Sequence, residues 1–187
     1  MARVLPLLLL AACGSAFCAP PTVTQGGTRL AAASCSVRQT LWIEHYSTVL
    51  YLPRRAPAQE EMVSPLAPKA LEIAIIDPRF LPRDIPRKWR EPIEKHLDRE
   101  ARDRATAAYR SLLAGDRLTL SYAPDQGVAL RINDRLVAQS VGHGLVDAIL
   151  ETWADDEPMR KKLQRVIARN ACRADQLAGI SSPEPRP

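Results

Sequence analysis

The hydrophobic and polar positions along the chain mark out a short series of elements. Residues 37–53, VRQTLWIEHYSTVLYLP, are rich in β-branched and aromatic side chains and end at Pro53. They predict one long strand. Apolar residues fall on both of its faces, from Leu41 to Ile43 and from Val49 to Leu52, so part of it should be covered on both sides. Ala70 to Ile76 predicts a second apolar strand, stopped by Asp77-Pro78. Asp84 can cap a helix beginning at Ile85, and Ile85, Trp89, Ile93 and Leu97 recur every four residues as one buried stripe. Pro92 sits inside that stripe and predicts a kink or break. A second helix, about Asp98 to Leu113, turns Ala101, Ala105, Ala108, Tyr109 and Leu112 inward. Gly115-Asp116 stops it. Three short strands follow, Arg117–Tyr122, Val128–Ile132 and Leu136–Gln139, the last two joined by a tight turn at Asn133-Asp134. Gly142 to Gly144 leads into a helix with Leu145, Ile149 and Trp153 on one face. Asp155-Asp156-Glu157-Pro158 opens a final helix, with Met159, Leu163, Val166 and Ile167 as its apolar stripe. Helices inserted between antiparallel strands predict an α+β domain, a sheet with a layer of helices on one face.

The ends read differently. Met1-Ala2-Arg3 followed by the apolar run Val4 to Ala12 fits an export signal over residues 1–18 and is too short to span a bilayer. Leu10-Ala11-Ala12-Cys13-Gly14 resembles a lipobox, which makes Cys13 a candidate for lipidation; ordinary cleavage near Ala16 or Cys18 is the other reading. The expectation is export to a periplasm, with a membrane contact only through such an anchor. Residues 19–34 read as a linker with at most one short strand, residues 35–172 as the domain, and residues 173–187 as a disordered Pro-rich tail. At 187 residues one domain is the default. Net charge is +5, from 26 basic and 21 acidic residues. Both signs interleave between Arg83 and Arg110 and few aromatics accompany them, so a solvated helical surface is favoured over a nucleic-acid footprint. No two of the four cysteines have metal-ligand spacing. In an oxidising compartment Cys35 and Cys172 are expected to pair, tying the start of the domain to its end; two buried free thiols are the alternative.

The order of elements and their punctuation resembles the chalcone isomerase fold, and most of all its exported bacterial chalcone-isomerase-like group. The residues that carry the resemblance are Tyr46 with Leu50-Tyr51-Leu52-Pro53; Gly115-Asp116 with Tyr122 and Pro124; Gly127 and Asn133; Gly142; and Trp153 with Asp155 and Pro158. It extends from about Ser34 to Ile167, and the block from Gly115 to Trp153 carries most of it. Where the family has an Asn-Gly turn, this chain has Asn133-Asp134. The resemblance implies a ring-closing isomerase site built from a strand Arg, a strand Thr, a helical Tyr and Asn, and a Thr on a later helix, stabilising a developing enolate. Arg38 matches the Arg. Tyr46 stands where the enzymes carry the strand Thr, and the family's fatty-acid-binding members are similar in pairing an Arg with a Tyr. Thr152 matches the later Thr. Ile85 and Pro92 fall where the helical Tyr and Asn belong, so the water-organising half of the enzyme site is missing.

Each candidate has a plainer reading beside it. Arg38 can be an ordinary strand-edge cation, Tyr46 a core tyrosine bonded to a backbone carbonyl, and Thr152 a helix threonine bonded to its own backbone. His45, His96 and His143 sit at no metal-binding spacing, and neither a nucleophile elbow nor a phosphate loop is present. His143 and Asp147, at helical spacing, suggest a base and its orienter. No cofactor or metal is expected. Three functions follow. The leading one is a non-catalytic domain that binds a small amphipathic or phenolic acid, or a partner, between sheet and helices through Arg38, Tyr46 and Thr152. The second is an intramolecular lyase acting on an enone-like substrate with the same reduced site. The third is an interaction domain whose cleft is filled by its own side chains.

Overall fold

The computed structural model of the protein describes residues 22–53, 64–153 and 172. Seven strands form one antiparallel sheet in sequence order: β1 Thr22–Gln25, β2 Thr28–Thr40, β3 Ile43–Pro53, β4 Lys69–Ile75, β5 Arg117–Ala123, β6 Gly127–Ile132 and β7 Arg135–Ser140. Between β4 and β5 the chain makes a 3-10 turn at Pro78–Phe80 and two helices, α1 Arg87–His96 and α2 Arg99–Arg110. A third helix, α3 Gly144–Trp153, follows β7. The arrangement is α+β, as the pattern predicts. The predicted helix beyond Asp155 lies outside the described residues, as do Cys13 and the rest of the segment read as an export signal.

Two predictions fail at the N-terminal side. The single strand expected over residues 37–53 is a hairpin, β2 and β3, that turns at Leu41-Trp42. Two apolar residues make a turn that usually needs Gly or Asn, so nothing in the pattern signals it. Residues expected as linker form β1 and most of β2, joined at Gly26-Gly27, where both φ values are positive. That Gly-Gly pair is a recognised hairpin signal.

The helical segment departs in detail. Asp84 does not cap α1, which starts at Arg87 after Pro86; its carboxylate accepts from the Arg110 guanidinium at 2.7 Å instead. Pro92 does not break α1, which runs from Arg87 to His96. Pro92 is the sixth of the ten helical residues; it forfeits the one backbone bond that its nitrogen would have donated, and its ring is buried against the core beside Ile93. Asp98 caps α2 by accepting from the Ala101 amide at 2.7 Å.

The return from helices to sheet is locked by the Gly115-Asp116 block. Gly115 has φ +85°, a left-handed conformation suited to glycine, and its amide donates to the Ile75 carbonyl at 2.8 Å. The buried Asp116 carboxylate accepts from the Leu113 amide at 2.7 Å and from the Asn133 side chain at 2.8 Å. Asn133 in turn accepts from the Arg117 amide at 2.9 Å. Asn133 and Asp134 both have positive φ, 50° and 66°, as a two-residue hairpin turn of the type I′ kind requires.

Strand alternation divides the core in two. Leu50, Leu71, Ile73, Leu118, Leu120 and Val128 face the helices and pack with Ile93, Ala101, Tyr109, Leu145 and Ile149. On the opposite face Leu30, Cys35, Val49, Tyr51 and Ala70 form a smaller cluster that Cys172 joins. Cys35 and Cys172 are bonded, with Cα atoms 4.8 Å apart.

Lys69, at the start of β4, has no exposed side-chain surface. Its ammonium lies 2.8 Å from Asp147 of α3 and 5.6 Å from the centre of the Tyr122 ring. Asp147 also meets His143 Nδ1 at 2.6 Å. Removing one member of a buried pair leaves the other without compensation. Lys69→Ala is therefore expected to lower unfolding free energy by about 3–5 kcal/mol in a urea titration, and Lys69→Met by less, because the hydrocarbon stem is retained. Burial pushes the hydroxyls of Tyr51 and Tyr109 up to about 12, helped in Tyr51 by the Glu72 carboxylate and in Tyr109 by Tyr46 and Asp84. The folded state holds these protons more tightly than the unfolded chain, whose tyrosines titrate near 10. The stability they contribute is complete below pH ~10 and lost as pH rises toward ~12. Thermal melts across that window should fall more steeply for the wild type than for Tyr51→Phe or Tyr109→Phe.

Candidate functional site

The helix-facing side of the sheet and the three helices enclose an apolar cavity. Leu71, Leu118, Leu120, Leu130 and Ile132 form its floor. Ile85, Trp89, Ile93 and Leu97 on one side, Ala105 and Tyr109 on α2, and Leu145 and Ile149 on α3 form its walls. These positions recur every four residues on α1 and α3 and every second residue on β5, which is why the sequence aims them at one space. The cavity measures about 40 Å³. That is room for a few water-sized guests, against several hundred Å³ for a typical organic ligand. A larger occupant requires α1 and α3 to move off the sheet. Among the lining residues only Tyr109, with its hydroxyl, and Trp89, with its indole N–H, carry polar atoms on their side chains, and Ile85 is one of the aliphatic walls.

Arg38 and Tyr46 face each other directly across β2 and β3. Opposed residues of an antiparallel pair share a face, and Tyr46 packs against the helix-side core, so both lie on the side of the cavity. Just beyond this pair the register slips, leaving His45 as the extra residue of a bulge. Bulges bend a strand and re-aim its side chains. Tyr46 is half-buried and Arg38 is exposed at the strand end. Neither lines the cavity itself. Tyr109, which lines the cavity, belongs to the helix-side cluster against which Tyr46 packs. Among the described residues, the hydroxyls of Tyr46 and Tyr109 make no hydrogen bond and Arg38 makes no ion pair. The strand end and the cavity wall thus carry a cation and two hydroxyls without a partner among the described residues.

Thr152 is not part of this group. Its hydroxyl donates to the Ile149 carbonyl at 2.8 Å, and it does not line the cavity. The physical reason is local: a helix threonine reaches its own preceding turn more readily than a distant cleft. His143 and Asp147 do meet, as their spacing suggests, but Asp147 is shared with the buried Lys69, and neither His143 nor Asp147 touches the cavity. Among the described residues no three His, Cys, Asp or Glu side chains gather to hold a metal ion. A buried acid, Glu72, lies on the opposite face of the sheet, paired in register with Val49. Its carboxyl is held above the usual range by burial, partly offset by Arg117 at 3.7 Å.

Two residues at the centre of this picture were not candidates in the sequence. Tyr109 carried a signal, since it falls on the inward stripe of α2 with Ala101 and Ala105. Lys69 carried none: a lone lysine after Pro68 reads as the solvated start of a strand.

No curated protein sequence matches the chain. Among solved structures, the crystal structure of a fatty-acid binding protein from Arabidopsis thaliana is similar, at 13% identity, covering 80% of this chain and 97% of that one with a TM-score of 0.43. A sequence model of the family described as chalcone isomerase-like matches residues 15–167. With most of its length inside that match, the chain belongs to the chalcone isomerase-like family.

Proposed function

We propose that this protein binds a small amphipathic acid between its sheet and helices and releases it unchanged. The observation that carries the proposal is the placing of Arg38, Tyr46 and Tyr109 on one side of the sheet: a permanent cation and two hydroxyls without a partner among the described residues, beside an apolar cavity. A carboxylate on Arg38 and Tyr46 would leave its apolar part directed at Tyr109 and the aliphatic walls. Arg suits the head position because its guanidinium stays charged and offers paired donors. Chemistry is disfavoured by the lining. Of its two polar side chains, Trp89 offers only an indole N–H, and Tyr109 holds its proton up to about 12, too high for acid–base work near neutrality. The lyase reading also needs Thr152 in the cleft, and that hydroxyl is engaged by the Ile149 carbonyl. Export follows as part of the proposal, supported by the Cys35–Cys172 bond, which persists in oxidising compartments.

The small cavity volume favours a second reading, an interaction domain whose cleft stays filled by its own side chains. Binding separates the two. Medium-chain fatty acids and phenolic acids should raise the melting temperature of the full chain and appear as complexes in native mass spectrometry. Arg38→Ala should weaken that binding roughly 10- to 100-fold, the worth of a charge-assisted hydrogen bond, and Tyr109→Phe by less. No complex with any acid would favour the filled domain. Equal affinity in Arg38→Ala would remove Arg38 from the site, and turnover of chalcone by the purified protein would end the non-catalytic reading.

A further inference from the structure

In an antiparallel meander alternate connections fall at alternate ends of the sheet. The β2–β3 turn, the β4–β5 connection and the β6–β7 turn therefore share one end. Among the described residues eight large apolar side chains are strongly exposed, and six of them, Leu41, Trp42, Ile76, Phe80, Leu113 and Leu136, belong to that end. Only Leu66 and Val141 lie at the other, so the distribution is one-sided. The pieces are tied together. The His45 carbonyl accepts from the amides of Ile76 and Asp77, both at 2.9 Å, and the His45 ring stacks on Phe80 at 4.4 Å.

The apex is the β2–β3 turn, where Leu41 is 75% and Trp42 82% exposed. Leu41 has φ +56°, a left-handed conformation that is unfavourable for a residue with a side chain. A glycine there would relieve it. The turn instead keeps a leucine in the costly position and a tryptophan in water.

We propose that this end of the sheet docks on an anionic phospholipid surface, with Leu41 and Trp42 entering the interfacial layer. The distribution of exposure favours a bilayer over a protein: at this end the most exposed apolar side chains are the adjacent Leu41 and Trp42, whereas a stable protein interface covers about 800 Å² on each partner. Tryptophan favours the boundary between headgroups and acyl chains. Arg38, Arg83 and Arg135, at or near the same end, make no ion pair among the described residues and are free to meet headgroup phosphates. Arg38 stands three residues before Leu41, about 10 Å back along an extended strand, at headgroup depth when the apex is inserted.

The test mixes the full chain with vesicles of phosphatidylglycerol and phosphatidylcholine, one set carrying acyl chains brominated near the headgroup. Tryptophan emission should be quenched by the brominated set, and the quenching should be lost in Trp42→Phe, an exposed substitution that leaves the melting temperature unchanged. The apolar Val4–Ala12 run contains no tryptophan, so the difference reports the turn even where that run also meets the vesicle. Absence of quenching, or quenching that persists in Trp42→Phe, overturns the proposal. So does a vesicle-free dimer abolished by Leu41→Ser with Trp42→Ser, which would assign the surface to a second copy. Acid binding by Arg38 is measured without vesicles, so neither result decides the other.

Discussion

The ion pair between Lys69 and Asp147 determines where α3 can lie. An ammonium sealed from water needs a carboxylate within hydrogen-bond reach, and the chain supplies one from the first turn of a helix that is 78 residues away. Once Asp147 is fixed over β4, Leu145 and Ile149 have a single surface to cover, the floor of the cavity. Tyr122, paired with Lys69 across β4 and β5, closes the pair from the side. The closeness of the helices to the sheet, and with it the small volume between them, follows from a polar contact lying at the margin of an apolar space.

The cavity walls are set by packing, and packing alone gives an apolar space without acid or base. The polar groups beside it are Arg38 and Tyr46 on one hairpin and Tyr109 on a helix. The proposed binding would therefore depend on two elements with independent roles, a strand pair bent by the His45 bulge and a helix held by its own core stripe.

Legibility in the sequence tracked the locality of the cause. The β6–β7 turn was legible because Asn133 and Asp134 tolerate positive φ, and the Gly115-Asp116 stop because glycine accepts a left-handed turn. The β2–β3 turn was not, because its apolar residues continue the strand pattern and its conformation is imposed by the pairing on either side. Pro92 misled because the sequence shows the lost backbone bond of an interior proline but not the burial of its ring with Ile93 in a helix that continues past it. Arg38 and Tyr46 became candidates through resemblance, and their opposition across two strands became visible only with the hairpin. Lys69 could not be found at all, since its burial depends on a carboxylate far along the chain.

The meander has a kinetic consequence. Every strand pairs with its neighbour in sequence, so most of the sheet forms from short-range contacts that close quickly. The exception is β4 with β5, which must enclose the whole segment from Ile76 to Asp116, α1 and α2 included. Loop closure grows only slowly with length, so this junction tolerates a long insertion at little thermodynamic cost, and its long-range contacts are expected to form more slowly than those of the hairpins. The sheet is thus two arrays of sequence neighbours, β1–β4 and β5–β7, joined by one long-range seam. The seam is the place where the Gly115 amide and the Asp116 carbonyl bond to Ile75 and complete the sheet.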